Sequence, residues 1–596
     1  MQGMRPTRLR PVSLISSPRE HGMVTTTYPH VETHGNATTP PASPPSGNSD
    51  PCDPNAPALE VSVLPFGPDQ SRIDQAVAAL LAHPQVQQRL TAGENRVLRF
   101  AIDHDDPPHP CAGHESKRVD ACTPDRFVAS IYDYAERRVL EVSGPLHALD
   151  ERAPGEINTT WLGHQPLPDG DEFAAAVEIV RRDRELRERL ASGAISLFRP
   201  MPPFIERQLA DGRVERTLTV GLRSTNTDAP FHEIVAVSMF ERRVLRDGIE
   251  GVVQRGERVC EPPPPRDTFG QSHVAGQCWI TVTSGGKTLW RFLAVRPAAS
   301  SGTNGSGIEL KYVDYLGKRV LFHAHVPILN VEYGTDGKAI GCGPTYRDWQ
   351  NSETQFEANG SVVAPGFLLC PTPARTIIDN GTDAGNFAGV AIYVDGQEVV
   401  LVSEMQAGWY RYISEWRLHA NGTIRPRFGF AGTENRCTCH LHTHHVYWRF
   451  DFDIRTPGHN VVEEFNDPPI VGNKHWHTKQ FEIRRLRDAA HKRRWRVRNT
   501  LSGEAYDIVP GPHDGVPTAY GVGDVWALRY HSGEIDDGQG FTTDPSLSRA
   551  QLERFMTPPE SVADTDVVVW YAGHYVHDAG VEIGNRVGPD LVPSGW

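Results

Sequence analysis

The chain has 596 residues, several times the length of one domain, so three or four folded units are expected. Against 60 Lys and Arg stand 74 Asp and Glu, a formal net charge of -14 that argues against nucleic acid as a partner. No run of about 18 apolar residues occurs, the basic start "MQGMRPTRLRPVSLISSPREHG" has no apolar segment behind it, and nine scattered cysteines form no disulfide framework; neither membrane span nor signal peptide is read, and a cytoplasmic protein with mostly free thiols is expected.

Residues 1–57, typified by "NATTPPASPPSGNSDPCDPNAP", have little to bury and read as a disordered tail. An internal repeat follows. "IDQAVAALLAHPQVQQRL" at 73–90 and "FAAAVEIVRRDRELRERL" at 173–190 both carry apolar residues at helical spacing and close on Arg-Leu. Each precedes alternating strands that end in the same five residues, in "ASIYDYAERRVLEV" and in "IVAVSMFERRVL". Two copies of a small helix-plus-sheet domain are expected, over 58–155 and 156–260, closed by the proline run "CEPPPPRD". From 261 to 596 the texture is short alternating runs, such as "QCWITVTSG", "TLWRFLAV", "RVLFHAHVPILNVEYG", "EVVLVSEM", "WRVRNTL" and "DVVVWYAG", separated by Gly, Asn, Asp and Pro. That pattern predicts a large antiparallel β-sandwich after the α+β repeats.

Within the sandwich region, "CTCHLHTHHVYWRFDFDI" concentrates two cysteines and four histidines. On a strand His440, His442 and His444 share one face, and Cys437, Cys439 and His445 share the other, so only one set converges on one ion. A His-X-His pair on a rigid strand offers two imidazoles to copper or zinc and needs a third ligand from elsewhere. The bland alternative is an exposed polar strand. The Cys-X-Cys-His part lacks the Cys-X-X-Cys knuckles of a structural zinc site.

The segment "HTHHVYWRFDFDI" with "NVVEEFNDP" resembles the metal-binding segment of the copper amine oxidase family, in which His-X-His leads into an Arg-hydrophobic-Asp-hydrophobic-Asp strand. The likeness extends through "AYDIVPGPHDG", "DVWALRYHSGE" and "DTDVVVWYAGHYVHD", and to the two N-terminal repeats. It implies copper(II) on His442, His444 and His577, with His574 as a competitor for the third place. It also implies a second cation, calcium or manganese, on Asp451, Asp453 and Asp566. The family's cofactor is topaquinone, made from a tyrosine of the chain itself, and "GWYRYISEWRLHANGTIRPRFGFAG" resembles the segment that carries it, so Tyr410 is the implied quinone precursor. Its neighbours Trp409 and Arg411 depart from the family pattern of Asn before and Asp or Glu after. Trp409 beside the ring would restrict its rotation and Arg411 would disfavour a cationic amine nearby, so slow turnover or an acidic or neutral-tailed substrate is expected.

The resemblance also implies a carboxylate base. In "TYRDWQNSETQFEANGSVVAPGFLLC" the register admits Glu353, Asn351 or Glu357, and Glu353 is preferred. Tyr333 in "VEYGTD" resembles the tyrosine that hydrogen-bonds the quinone, Trp349 the aromatic gate, and Cys370 one half of a disulfide whose other position holds Tyr393 or a neighbour. The implied activity is oxidation of a small primary amine by dioxygen to an aldehyde, with release of ammonia and hydrogen peroxide. The family is typically a homodimer with embracing arms, for which "RTPGHNVVEEFNDPPIVGNKHWHTKQFEIRRLRD" is a candidate. Two other classes stand against this reading: a copper-binding homologue without the quinone, serving in binding, assembly or another copper and oxygen reaction, and a zinc hydrolase on the same histidines.

Overall fold

The computed structural model describes residues 57–103, 126–150, 152–209, 214–226, 232–246, 273–334, 343–432, 438, 440–577 and 581–596. The expected tail up to residue 56, the proline run at 260–265 and Cys437 and Cys439 lie outside the described residues.

Every apolar-alternating run named above is a strand, and two large sheets collect them. One has ten strands, in the order Leu59–Phe66, Gln277–Ser284, Lys287–Val295, Glu309–Tyr315, Lys318–Glu332, His442–Phe452, Val567–His577, Val525–Arg529 and Ile483–Arg485, with Thr345–Arg347 pairing beside Lys318–Glu332. The other has twelve, and its centre is the run Glu398–Ala407, Tyr410–His419 and Ile424–Gly432. Pairing is antiparallel throughout except between Phe367–Leu369 and Val390–Asp395. The inward faces meet in one core that includes Trp448 and Phe450 from the first sheet and Tyr412, Trp416 and Phe428 from the second. Trp416 and Phe450 meet edge to face across it, with centroids 6.5 Å apart. This is an antiparallel β-sandwich, as the alternation predicts.

Ahead of it lie two helix-plus-sheet units. Helices Gln70–Ala82 and Gly170–Arg182 are each capped by an aspartate, Asp69 and Asp169, whose side chain accepts a backbone N–H of the first turn. Each packs on an antiparallel sheet, and the two cores are separate. The repeated pentapeptide forms the same turn twice: Arg137 and Arg242, its second residue, both take the left-handed conformation at φ 57 and 54. The continuous helices expected over 73–90 and 173–190 each break midway. In the first, Pro84 lacks the N–H to continue and starts a new turn, Pro84–Gln87. In the second, the Asp183 carboxylate accepts from the N–H groups of Glu185 and Leu186 at 3.0 and 3.2 Å and opens Leu186–Ala191. The first sheet takes its outer strand from Asn158–Leu162, beyond residue 155, and Leu59–Phe66 belongs to the ten-stranded sheet. No helix among the described residues is long and apolar enough to cross a membrane.

Candidate metal centre

The histidine strand His442–Phe452 pairs with Val567–His577 without a break in register, His442 opposite His577 and His445 opposite His574. Alternation along this pair therefore sends His442, His444 and His577 to one face and His445 and His574 to the other. His440 precedes the strand, and its carbonyl accepts the Nδ1–H of His442. That bond leaves Nε2 of His442 with its lone pair. Nε2 of His442 lies 3.2 Å from Nε2 of His444 and 3.2 Å from Nδ1 of His577. All three rings are buried.

Burial, followed by the neighbouring imidazoles, lowers the pKa of His442 to about 3 and of His444 well below its ordinary value. The three side chains offer ligand atoms within 4.8 Å of one another, and nitrogen donors about 2.0 Å from one ion would stand at such spacings. The residues present fit a copper or zinc ion. His574 is not part of it. Its Nδ1 meets Nδ1 of His445 at 2.7 Å, and its Nε2 faces the Gly523 carbonyl at 2.9 Å and Asp524 at 3.3 Å.

Facing the triad from the other sheet is Tyr410. Its hydroxyl hydrogen-bonds Nε2 of His442 and, at 3.2 Å, Nδ1 of His577. Ala407 pairs with Tyr410, so Gly408 and Trp409 are a two-residue hairpin turn, with Gly408 at φ 56. A Cβ on residue 408 would lie 2.6 Å from Met201 Sδ. Trp409 is thus a turn residue. Its Nε1–H donates to the Tyr333 hydroxyl at 3.0 Å, and the Tyr333 ring stacks on His442 at 4.8 Å.

Arg411 alternates to the outer face of the strand. There its Nε and Nη2 donate to Asp383 at 2.9 and 2.8 Å, and both side chains are fully buried. The expectation that Arg411 repels a cationic amine at the ring fails, because its charge is paired with Asp383 on the face opposite the Tyr410 ring, with Nη1 donating to the Tyr410 backbone carbonyl at 3.1 Å.

Glu353, the expected base, has its carboxylate taken by Arg296 through Nε at 2.9 and 3.1 Å and through Nη2, and by the Ala298 N–H at 3.1 Å. Both carboxylate oxygens are engaged by these donors, which argues against Glu353 in that role. Glu357 is exposed near Arg375. Asp348 is not among the residues that the sequence pattern selects. It is buried, and its Oδ2 accepts the Tyr412 hydroxyl, while Oδ1 has no hydrogen-bond partner. The Tyr412 ring stacks parallel to Tyr410 with centroids 5.5 Å apart. Burial raises the Asp348 pKa to about 7, against the hydrogen bond from Tyr412. The signal for it lies in "TYRDWQN", an aspartate set among Tyr346 and Trp349, which the family's Phe-Asp pattern does not match.

Asp451, Asp453 and Asp566 converge within 4.8 Å of one another. Burial and mutual repulsion raise Asp453 well above the carboxylate range and Asp566 to about 7; Asp451 rises to about 6, chiefly by burial, with Arg449 opposing. Three carboxylates in that state fit a hard cation. Trp349 is buried against Phe541 and under Arg199. Cys370 is a free thiol packed in the same cluster as Tyr393, so no disulfide forms there.

No protein-family model matches this sequence, and no curated protein does. Solved structures do. A copper-containing benzylamine oxidase from Hansenula polymorpha superposes with a TM-score of 0.59 at 12% identity, over 89% of this chain and 98% of that one. Pichia pastoris lysyl oxidase gives 0.54 at 13%, over 90% of each chain. An amine oxidase from Aspergillus nidulans gives 0.53 at 14%, over 89% and 88%. The chain has a copper amine oxidase-like fold.

Proposed function

We propose that the protein is a copper- and topaquinone-dependent oxidase of a small primary amine. The observation that carries this reading is the Tyr410 hydroxyl, hydrogen-bonded to two of three buried histidines that converge from the facing sheet. When bound, copper with dioxygen supplies oxidation of the Tyr410 ring to a quinone, the electrophile that takes a primary amine to an aldehyde with release of ammonia and hydrogen peroxide.

The chain's own residues supply the rest. His442, His444 and His577 hold the ion, and the Tyr410 hydroxyl sits where an ion on those nitrogens would acidify it. Tyr333, fixed by Trp409, walls the ring on the His442 side. Asp348 accepts the substrate proton at Oδ1, because its pKa near 7 lets it ionise at working pH while remaining basic enough to take the proton. Asp451, Asp453 and Asp566 hold the second, hard cation.

The test is copper-loaded full chain exposed to oxygen. A visible quinone absorbance, a phenylhydrazine adduct on the peptide containing residue 410, and peroxide released from a primary amine are expected. Tyr410→Phe should lose all three and keep copper. Copper retained by the unaltered chain with no mass change at Tyr410 would refute the quinone and favour the copper-binding homologue.

A further inference from the structure

Another His-X-His pair lies one strand away. His323 and His325, in "LFHAHVP", sit on Lys318–Glu332, opposite Asp451 and Arg449 of the histidine strand. Those partners alternate with His442 and His444, so this pair occupies the other face of the same sheet. Glu309 joins it from the strand Glu309–Tyr315. The three residues are at most 3% exposed and offer ligand atoms within 4.8 Å of one another.

The spacing is informative. Nε2 of His323 is 3.5 Å from Oε2 of Glu309, and Nδ1 of His325 is 3.6 Å from Oε1. Both exceed the usual hydrogen-bond length. Two donors bound tetrahedrally to one ion at about 2.1 Å stand about 3.4 Å apart. Three ring nitrogens, Nε2 of His323 and both of His325, are buried without a hydrogen-bond partner. Leaving such groups bare is unfavourable. The two rings stack 3.9 Å apart at 28°. Glu309 is already oriented, since Oε1 accepts the Ser301 N–H at 2.6 Å and its hydroxyl at 2.5 Å.

We infer that Glu309, His323 and His325 form a further metal site, for a divalent ion of borderline hardness such as zinc, separate from the centre at Tyr410. Two imidazole nitrogens and one carboxylate oxygen are the donor set that such ions take. Lys311 is the competitor. Its Nζ stands 3.8 Å from Oε2 of Glu309, which neutralises the carboxylate but leaves the three ring nitrogens bare.

Zinc chloride offered to the full chain already loaded with copper, which occupies the other histidine set, tests this site. Anomalous scattering at the zinc edge should show an ion between Glu309, His323 and His325, and one equivalent of zinc should survive dialysis. His325→Ala should lose that equivalent and keep copper uptake at His442 unchanged; Lys311→Met should tighten zinc binding by removing the nearest competing charge. No density at these three residues in the unaltered chain overturns the site, as does an unchanged zinc stoichiometry in folded His325→Ala. Should that variant fail to fold, the diffraction result on the unaltered chain decides by itself.

Discussion

The His442–His444 and His323–His325 pairs have the same spacing, lie on neighbouring strands and are both buried, yet they face different chemistry. His442 and His444 point into the sandwich and meet a phenol, Tyr410, from the other sheet. His323 and His325 point away from it and meet a carboxylate, Glu309, with an ammonium behind. An ion held by the first pair would have the Tyr410 ring beside it, whereas an ion held by the second would have the Glu309 carboxylate in that place.

The sharpest way to break this contrast is at His442. His442→Ala removes one of two strand-mates and leaves too few donors for tight copper. Complete loss of bound copper is expected, measured by elemental analysis, and with it loss of every quinone signal. Copper retained in this variant would mean that the two pairs do not differ as described.

Next in size is Asp348. Asp348→Asn cannot accept a proton, so a rate loss of about 10²–10⁴-fold is expected with copper and quinone intact. The unaltered chain gives a pH test as well. A carboxyl pKa raised to about 7 keeps the proton on the folded protein longer than on the unfolded one. Its contribution to stability is therefore full at acid pH and is lost as pH rises through about 7, while activity climbs over the same window because the base must be ionised. Opposed trends in melting temperature and kcat/KM between roughly pH 5 and 8 are expected, and an acid limb absent from the rate profile would remove Asp348 from the reaction.

The sandwich was legible because period-2 alternation is local: each alternating run after residue 261 became a strand. The choice of His577 over His574 was legible in principle too, since three residues along a strand is an odd step and changes face. The base was not. Whether Glu353 or Asp348 stays available to take a proton depends on Arg296, 57 residues before the first, and on Tyr412, 64 residues after the second, and neither separation leaves a trace in local pattern. The same holds for Arg411, whose partner Asp383 lies 28 residues away. The helices fall short of their expected ends for a local reason, the break at Pro84 and the cap at Asp183.

Glu353 and Asp348 can be separated by what each loses. Glu353→Gln leaves Arg296 charged in a buried place, and breaking such a pair costs about 3–5 kcal/mol. Denaturant unfolding should register that loss. Quinone formation and the pH limb should persist in the protein that stays folded. A variant as stable as the parent but stalled in turnover would restore Glu353 as the base.

The smallest effect expected is at Tyr333, which touches the His442–His444 pair without being a ligand. Its hydroxyl accepts from Trp409 at 3.0 Å, and its ring covers His442 at 4.8 Å. Tyr333→Phe keeps the ring and deletes the acceptor, so about 1 kcal/mol of stability should go, the worth of one buried hydrogen bond. Copper affinity should stay as it was, because the stacking on His442 and the His440 carbonyl that fixes its tautomer are both untouched. The rate should drop modestly, since Trp409 then loses the bond that fixes it at the turn before Tyr410, and the precursor ring is held less firmly. A full loss of copper in Tyr333→Phe would mean that the hydroxyl, rather than the three nitrogens alone, holds the centre together, and the phenol would then distinguish the two histidine pairs by coordination instead of by reactivity.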